Sequence, residues 1–322
     1  MLSPLPQALS LEHDQLVVVT GASGWVGRSA LHELQRLLPV ERFQRSVIAC
    51  ASRSGEIVST GYPPEQQIAV KLQPLSALPE MVQGKTILLI HAAFLTRDRL
   101  ASVGLEAYVA TNRWITQTVG TAFRQAASAR AIEISSGAAA AALPHQDLPV
   151  EQAPDPYGIL KLQEEQHLAR CAPTQVLRVY ALTGRFMRDP ALFALGDFLN
   201  CALSGLPIRI RSRRPVIRGY GHAADIVRSA LLWLTGDAVV ADPIATCSEE
   251  IALSELAGVI ASLFNLPAPE MEMDPDLAPD FYGSATEPFR QFLGSLGLSA
   301  LDLREQILDT AEGLRRQHPS AG

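Results

Sequence analysis

Lysine is scarce in this chain. The 322 residues include only Lys71, Lys85 and Lys161, and the formal net charge at pH 7 is −6. The one basic cluster, RIRSRRP at 209–215, is too short for the continuous basic stripe that nucleic-acid binding requires, and it is better explained as a local anion site. We therefore expect no nucleic acid partner.

Cysteine is also sparse, and long apolar runs are missing. The four cysteines form no CxxC pair and have no histidine close enough in the sequence to complete a zinc set. We predict no metal site, and buried free thiols in a reducing compartment. No apolar run approaches the roughly 18 residues that span a bilayer, and residues 1–14 lack a basic region followed by an apolar core. These absences predict a cytoplasmic protein without membrane association.

The chain instead shows a regular alternation of apolar strand segments and helical periods. The predicted strands cover 16–20, 46–52, 67–72, 86–93, 131–136 and 174–180, and the predicted helices cover 28–38, 76–83, 105–127 and 157–171. Strand and helix in alternation are typical of a parallel sheet with helices on both faces. The fold class predicted is α/β, a Rossmann-type doubly wound parallel sheet.

Beyond Tyr180 the alternation loosens, which indicates a second, smaller mixed α/β domain. Helices are predicted at 192–205, 222–234, 253–264 and 303–317, with a strand pair within 207–220, a strand at 241–247 and a loop over the cleft at 267–279. We predict a tail at 1–14 and a dinucleotide-binding domain at 15–182, with its sheet completed by parts of 222–250. The substrate domain would comprise 183–221 and 251–322.

A glycine turn near the N-terminus predicts nucleotide binding. The segment LVVVTGASGWVG at 16–27 passes from an apolar strand through three glycines into a helical pattern. Such a turn brings backbone N–H groups and the positive end of a helix against a pyrophosphate, and glycine is needed where a side chain would block the approach. The predicted cofactor contacts in this turn are Gly21, Ala22, Ser23, Gly24, Trp25, Val26 and Gly27.

Tyr157 and Lys161 predict a proton-transfer site. Residues four apart lie on one face of a helix, and an ammonium beside a phenol favours the tyrosinate and so lowers the pKa of the phenol. Such a phenol is a better acid or base near neutral pH. The alternative is a surface tyrosine stacked under a lysine on an amphipathic helix.

The GxxGxxG spacing followed by YxxxK resembles the short-chain dehydrogenase/reductase superfamily. Further motifs occur in the order seen in its extended members: HAA at 91–93, SS at 135–136, PYGILK at 156–161, LRVYALTG at 177–184, GLPIRI at 205–210, RGYGHAAD at 218–225 and LREQILDTAEGL at 303–314. Within that family the chain is similar to the nucleoside-diphosphate-sugar epimerase, dehydratase and reductase group. The resemblance implies an NAD(P)-dependent enzyme that forms a homodimer through a four-helix bundle of helices 105–127 and 157–171.

The resemblance also implies roles for individual residues. Tyr157 would transfer the proton, Lys161 would lower its pKa and bind the nicotinamide ribose, and Ser136, or alternatively Ser135, would hydrogen-bond the substrate oxygen. Both serines could instead satisfy the following turn, and Asn112, a family cofactor contact, could instead face solvent. Further predicted cofactor contacts are Leu72, Ala92, Ala93, Phe94 and Leu182. The predicted substrate contacts are Arg185 and Arg218, although Arg218 could instead pair with Asp225 or another carboxylate.

The second strand departs from the pattern of NAD-preferring members, which place an Asp at its end. Here the sequence is ACASRSG, and Ser52 and Arg53 suit the 2′-phosphate of NADP. We therefore predict that NADP is preferred to NAD, unless Arg53 is only a solvated loop residue. Lys71 and Leu72 replace the Asp that usually contacts adenine.

Other departures limit the reaction. The alanine run after Ser136 lacks the acidic residue of the dehydratases and the VYG of many epimerases, and Ala181 replaces an asparagine that touches the nucleotide. Hydride transfer at a sugar carbinol or ketone carbon remains compatible with the sequence, and the enzyme could be a reductase or an epimerase. Two alternatives stay open: an NADP-dependent reductase of a non-nucleotide carbonyl compound, and a non-catalytic dinucleotide sensor.

Overall fold

The computed structural model of the chain describes residue 9 and residues 11–60, 67–274 and 276–317. Two compact units emerge: the described residues up to Arg178 together with Val227–Ile244, and Val179–Ile226 together with the described residues from Ala245 onward. Most of the predicted tail, residues 1–8 and 10, lies outside the described residues. The domain boundaries predicted from the sequence stay a prediction.

Fourteen strands occur in the described part of the chain. They are β1 (Gln15–Thr20), β2 (Val47–Ala51), β3 (Gly55–Thr60), β4 (Gln67–Pro74), β5 (Thr86–His91), β6 (Ser128–Ser136), β7 (Thr174–Val179), β8 (Ala181–Thr183), β9 (Arg209–Ile210), β10 (Val216–His222), β11 (Ile244–Ala245), β12 (Glu249–Ala252), β13 (Glu270–Met271) and β14 (Asp280–Tyr282).

Twelve α-helices accompany them among the described residues. They are α1 (Trp25–Leu37), α2 (Val40–Ser46), α3 (Leu78–Met81), α4 (Leu100–Val103), α5 (Leu105–Gln125), α6 (Gly137–Ala142), α7 (Pro156–Ala169), α8 (Ala194–Leu203), α9 (Ala223–Thr235), α10 (Leu253–Leu263), α11 (Glu287–Ser295) and α12 (Leu303–Gln317). None of these described helices is both long enough and apolar enough to cross a bilayer.

The main sheet has eight strands in the order β11-β7-β6-β5-β1-β2-β4-β3. Pairing is parallel between β1 and β2, β1 and β5, β5 and β6, and β2 and β4. Apolar runs such as Val17–Val19 are fully buried, as expected for strands covered on both faces. The doubly wound α/β fold predicted from the sequence is confirmed. The strand order reverses at β1, where ligands of such sheets bind beyond the carboxyl ends of the strands.

Some elements differ from the sequence prediction. The edge strand β3, antiparallel to β4, was not predicted, nor was α6, although alanine favours helix. The helix predicted at 76–83 consists of a 3-10 turn at Leu75–Ala77 followed by the four residues of α3. It ends before Gly84, where φ is 68°. The strand predicted at 241–247 shortens to two residues.

The second unit contains two small sheets. One has the order β12-β10-β14 with β8 also paired to β10, and the other pairs β13 with β9. The predicted strand pair within 207–220 is therefore wrong, because β9 and β10 lie in different sheets and bind partners distant in the sequence. The loop predicted at 267–279 contains the short strand β13, and its Pro275 lies outside the described residues.

Candidate functional site

The glycine turn is packed against the backbone of the next strand. Gly21 has φ of 65°, and a Cβ there would overlap the carbonyl of Ala92 after β5. A Cβ on Gly27 would overlap the carbonyl oxygen of Gly21. The amide of Ala22 donates to Cys50 O at 3.0 Å, which fixes the turn against β2. Only glycine fits at the first and third glycine positions of the motif.

The N-terminus of α1 is available to an anion. Gly24 is its N-cap residue and supplies no side chain to cap the first turn, which also contains no acidic residue. The N–H groups of the first turn and the positive end of this 13-residue helix therefore suit a pyrophosphate. The predicted contacts Ser23, Trp25 and Val26 lie in this turn and in the first two positions of α1. The turn fits the dinucleotide that the motif predicts.

Tyr157 and Lys161 lie in the first two turns of α7 against Phe94. The Tyr157 ring is edge-on to the Phe94 ring, with centroids 5.6 Å apart, and Lys161 Nζ lies 4.1 Å from the Phe94 centroid. Tyr157 is partly exposed, and its hydroxyl makes no hydrogen bond among the described residues. Lys161 is only 3% exposed. The alternative was a surface tyrosine stacked under a lysine. Tyr157 is partly exposed, but the lysine is buried and lies over Phe94, so the pair is not a surface stack.

The Lys161 ammonium is held by two acceptors. Nζ donates to Ile134 O at 3.0 Å and to Glu164 Oε2 at 2.8 Å. Burial is the largest single influence on Lys161 and lowers its pKa. The charges of Glu164, Tyr157 and Glu133 and the hydrogen bond to Glu164 together outweigh burial, so the net pKa is raised. Lys161 therefore carries a positive charge close to Tyr157.

Ser135 and Ser136 have different environments although both are buried. Ser135 Oγ donates to Glu165 Oε1 at 2.5 Å, and Arg178 binds both oxygens of Glu165. Ser136 Oγ accepts from the amide of Ala138 at 3.2 Å and caps α6. Ser135 is thus committed to an internal network, and the capping alternative holds for Ser136 in this structure.

The first turns of α6 and α7 approach closely. A Cβ on Gly158 would lie 2.6 Å from Ala138 O, so this position requires glycine. The contact brings the Ser136 cap beside the turn that carries Tyr157.

Asn112 is buried in α5 and does not face solvent. Its Oδ1 accepts from the amide of Leu95 at 2.8 Å, and its Nδ2 donates to Leu95 O at 3.2 Å. The solvent-facing alternative is therefore wrong. Asn112 fixes the segment after β5, which contains the predicted cofactor contacts Ala92, Ala93 and Phe94.

The residues predicted to select NADP follow β2. Ser52 and Arg53 are exposed, and Arg53 makes no hydrogen bond or ion pair within the described residues. Leu72 is buried in β4, in register with Ala49 of β2. Arg53 is thus free to contact a ligand.

The predicted substrate arginines lie in the second unit, and both are paired with carboxylates. Arg185 binds Asp309 through Nε at 3.1 Å and through its terminal nitrogen, and Arg218 binds Asp280 at 2.8 Å. The partner of Arg218 is Asp280 and not Asp225. Leu182, predicted to touch the cofactor, lies in β8 of this unit, in register with Gly221.

A buried polar network around Glu164 was missed by the sequence analysis. Glu164 Oε1 lies 3.0 Å from His91 Nε2, and His91 Nδ1 lies 2.6 Å from Thr20 Oγ1. Glu133, in β6, is also fully buried. A charged residue inside the apolar strand AIEISS was the signal that could have revealed it.

Three solved structures share the fold of this chain. A UDP-N-acetylglucosamine 4-epimerase from Methanobrevibacter ruminantium M1, in complex with UDP-N-acetylmuramic acid, is 16% identical with a TM-score of 0.70 over 94% of this chain and 99% of that one. MoeE5 in complex with UDP-glucose and NAD is 23% identical with a TM-score of 0.67, and a UDP-glucuronic acid 4-epimerase from Bacillus cereus, in complex with UDP-glucuronic acid and NAD, is 16% identical with a TM-score of 0.65. Coverage for both is also 94% of this chain and 99% of the other.

No curated protein sequence matches the chain. The family model described as the NAD dependent epimerase/dehydratase family matches residues 17–243, which include the glycine turn and the Tyr157–Lys161 pair. The chain therefore belongs to the NAD-dependent epimerase/dehydratase family and is an NAD(P)-dependent enzyme of the extended short-chain dehydrogenase/reductase type.

Proposed function

We propose that this enzyme transfers a hydride at a carbinol or ketone carbon of a nucleoside-diphosphate sugar, with Tyr157 as the acid or base. One observation supports this proposal most directly. A partly exposed phenol with an unengaged hydroxyl stands next to a buried, charged lysine. A non-catalytic dinucleotide sensor would need neither group.

The residues would divide the chemistry as follows. The nicotinamide, when bound, supplies or accepts the hydride. Tyr157 moves the proton on the neighbouring oxygen, and the buried Lys161 ammonium lies one helical turn away on the same face of α7. Ser136, beside the first turn of α7, would donate its O–H to the same oxygen, because the bond from the Ala138 amide uses only a lone pair of Oγ.

We infer a preference for NADP over NAD. The exposed and unpaired Arg53 supports it, as does the absence of a carboxylate in the segment ACASRSG. A free guanidinium beside a hydroxyl suits a phosphate dianion. NAD, which the solved relatives hold, is the alternative cofactor.

The proposal of a nucleoside-diphosphate sugar as substrate is supported by the ligands of the similar solved structures and by Arg218. The relatives of known structure contain UDP-sugars, and a nucleoside-diphosphate sugar would bring a diphosphate that an arginine can bind through two parallel hydrogen bonds. The Arg218 side chain is 25% exposed and its partner Asp280 is 46% exposed, so this ion pair is open to exchange with a ligand.

A second candidate function is the NADP-dependent reduction of a carbonyl compound without a nucleotide. It is favoured by the internal pairing of both Arg185 and Arg218, which leaves neither guanidinium free for a diphosphate. The Tyr157 chemistry would be the same in this case.

We further propose a homodimer in which α5 and α7 of two copies form a four-helix bundle. In one copy these helices enclose a groove of about 200 Å³ lined by residues of both, including Arg113, Gln117 and Gln163. Trp114 of α5 is 45% exposed, which is unusual for so large an apolar side chain. A second copy would cover it.

A thermal-shift panel tests the function. The panel contains NADP, NAD and a series of nucleoside diphosphates and their sugars, added singly and in pairs. Each compound is added, where its solubility allows, at a concentration of about 100 times its dissociation constant. Each true ligand then adds about 2.7 kcal/mol to the stability of the folded state. We expect a shift with NADP and a further shift with at least one nucleotide sugar, followed by turnover of that sugar. A shift with NADP but with no nucleoside diphosphate supports the carbonyl reductase.

A further inference from the structure

Glu133 is a buried acid that forms no ion pair among the described residues. Its side chain is fully inaccessible, and neither carboxyl oxygen makes a hydrogen bond among the described residues. Side chains two apart in a strand point to the same face, and Ser135 contacts Glu165 of α7. Glu133 therefore faces α7 as well, one residue before the Ile134 carbonyl that binds Lys161.

The charged groups around Glu133 are already matched. From α7, Lys161 is paired with Glu164, and Glu165 is paired with Arg178 of β7. From β5, His91 bonds Glu164. Each permanent cation thus has one carboxylate, and Glu133 is an additional one.

An unpaired carboxylate at this position would be very unfavourable. A buried ionised group without a counter-charge or hydrogen bonds neutralises instead. Burial, and next the charge of Glu164, raise the pKa of Glu133 well above its usual range. At neutral pH this side chain is therefore a carboxylic acid.

We propose that Glu133 and Glu164 form a carboxyl pair that holds one proton and one negative charge, so that either residue can serve as the counter-ion of Lys161. The two are positioning residues for the Tyr157–Lys161 site. In the resting protein Glu164 carries the charge, because its oxygens already bind Lys161, His91 and Thr116. The proton resides on Glu133. This inference rests on the proposed role of Lys161, but its first test does not.

Difference infrared spectroscopy of the ligand-free protein provides that test. The parent at pH 7 is expected to show the carbonyl band of a buried carboxylic acid. Glu133→Gln should remove the band. Glu164→Gln should also remove it, because Glu133 then ionises to neutralise Lys161. Glu165→Gln, which removes a neighbouring carboxylate already paired with Arg178, should leave the band.

The Glu164→Gln spectrum separates a shared proton from an isolated buried acid. If the band persists in this variant, or is missing from the parent, the proposal is overturned. These spectra require neither substrate nor turnover, so they hold even if the proposed hydride transfer is wrong. The melting temperature of each variant confirms that the spectrum comes from folded protein.

Turnover gives the second test. Each single variant keeps one carboxylate for Lys161, so we expect losses of only a few-fold. The double variant Glu133→Gln/Glu164→Gln leaves Lys161 buried without a counter-ion, and its pKa falls. Turnover should then be at least about 100-fold lower than if the losses of the two single variants simply multiplied. The alkaline limit of the pH profile of turnover should also move to lower pH. A double variant whose loss of turnover equals the product of the two single losses would contradict the carboxyl pair.

Discussion

At the scale of the residue, the chemistry of this enzyme depends on how one buried charge is compensated. Lys161 keeps its proton because Glu164 lies 2.8 Å from Nζ, and the same carboxylate reduces the net field that reaches Tyr157. The phenol therefore responds to the lysine and the carboxylate together. This differs from the simple pair of groups that the spacing in the sequence suggests.

Tyr157→Phe tests the proton step directly. Removal of the hydroxyl should lower turnover by about 10²- to 10⁴-fold and leave the dissociation constant of the cofactor nearly unchanged. Tyr108→Phe is the matched control, because it removes a buried hydroxyl that has no hydrogen-bond partner in the described structure. Steady-state rates and cofactor titrations measure both variants. Turnover of the Tyr157→Phe variant within a few-fold of the parent would exclude Tyr157 as the acid or base.

Arg53→Ala tests the selection of the cofactor. A charge-assisted contact to the 2′-phosphate contributes about 1.5 to 3 kcal/mol, so the affinity for NADP should fall by about 10- to 100-fold while that for NAD stays the same. Arg45→Ala, another exposed arginine of the same unit, is the control and should change neither affinity. Isothermal titration calorimetry measures both. Equal affinities of the parent for NAD and NADP would refute the preference.

At the scale of the element, close approaches of backbone decide where the site residues stand. The first turn of α7 reaches the carbonyl of Ala138 because Gly158 has no Cβ. In the second unit, α12 is joined to the segment after β8 by the bonds of Asp309 to Arg185, and to β10 by its bond to His222. Both arrangements can be tested by single substitutions.

Gly158→Ala should push α6 and α7 apart. The added Cβ would lie 2.6 Å from Ala138 O, so we expect a loss of about 1 to 3 kcal/mol in stability and reduced turnover from the displaced Ser136 cap. The control is Gly258→Ala in α10, where a Cβ meets nothing within 4 Å and alanine favours the helix by up to about 1 kcal/mol. Urea unfolding measures both free energies. Equal stability of the two variants would contradict the contact.

Asp309→Asn should make stability less dependent on pH. Burial opposes ionisation of Asp309, but the bonds from His222 and Arg185 outweigh it and lower the pKa of this carboxyl. A lowered folded-state pKa contributes stability above the unfolded value of about 3.9, and this contribution is lost as the pH falls below it. The variant should therefore lose about 3 kcal/mol at pH 7 and a smaller amount at pH 3, where the contribution of the carboxylate has begun to fall. Urea unfolding at pH 7 and at pH 3 measures the loss of stability in the variant. A loss of the same size at both pH values would refute the prediction.

At the scale of the whole molecule, the exposed face of α5 determines the proposed assembly. Trp114→Glu places a charge where a second copy would bury the indole, so we expect monomers in light scattering coupled to size-exclusion chromatography. Leu308→Glu on α12 is the control, since Leu308 is exposed to a similar extent, 48%, outside the proposed bundle. A parent protein that is monomeric at all concentrations would contradict the bundle.

The sequence by itself determined the features that depend on neighbours in the chain. The turn from Gly21 to Gly27, the apolar strands of the main sheet and the shared helix face of Tyr157 and Lys161 follow from spacing over a few residues, because local backbone sterics and periodicity fix them. The family pattern consists of the same local motifs. These features led to the correct fold class and family.

Only the tertiary structure decided which distant groups meet. The partners of Arg218 and Arg185 are 62 and 124 residues away in the sequence, and Glu164 reaches His91 across 73 residues. The strands β9 and β10 lie in separate sheets because they pair with β13 and β14, which are also distant in the sequence. Such contacts arise from the register of packed elements, which no local pattern encodes. For this reason the sequence could hint at a buried charge in the strand AIEISS, but the partners in the charged network beneath Lys161 could be identified only in the folded chain.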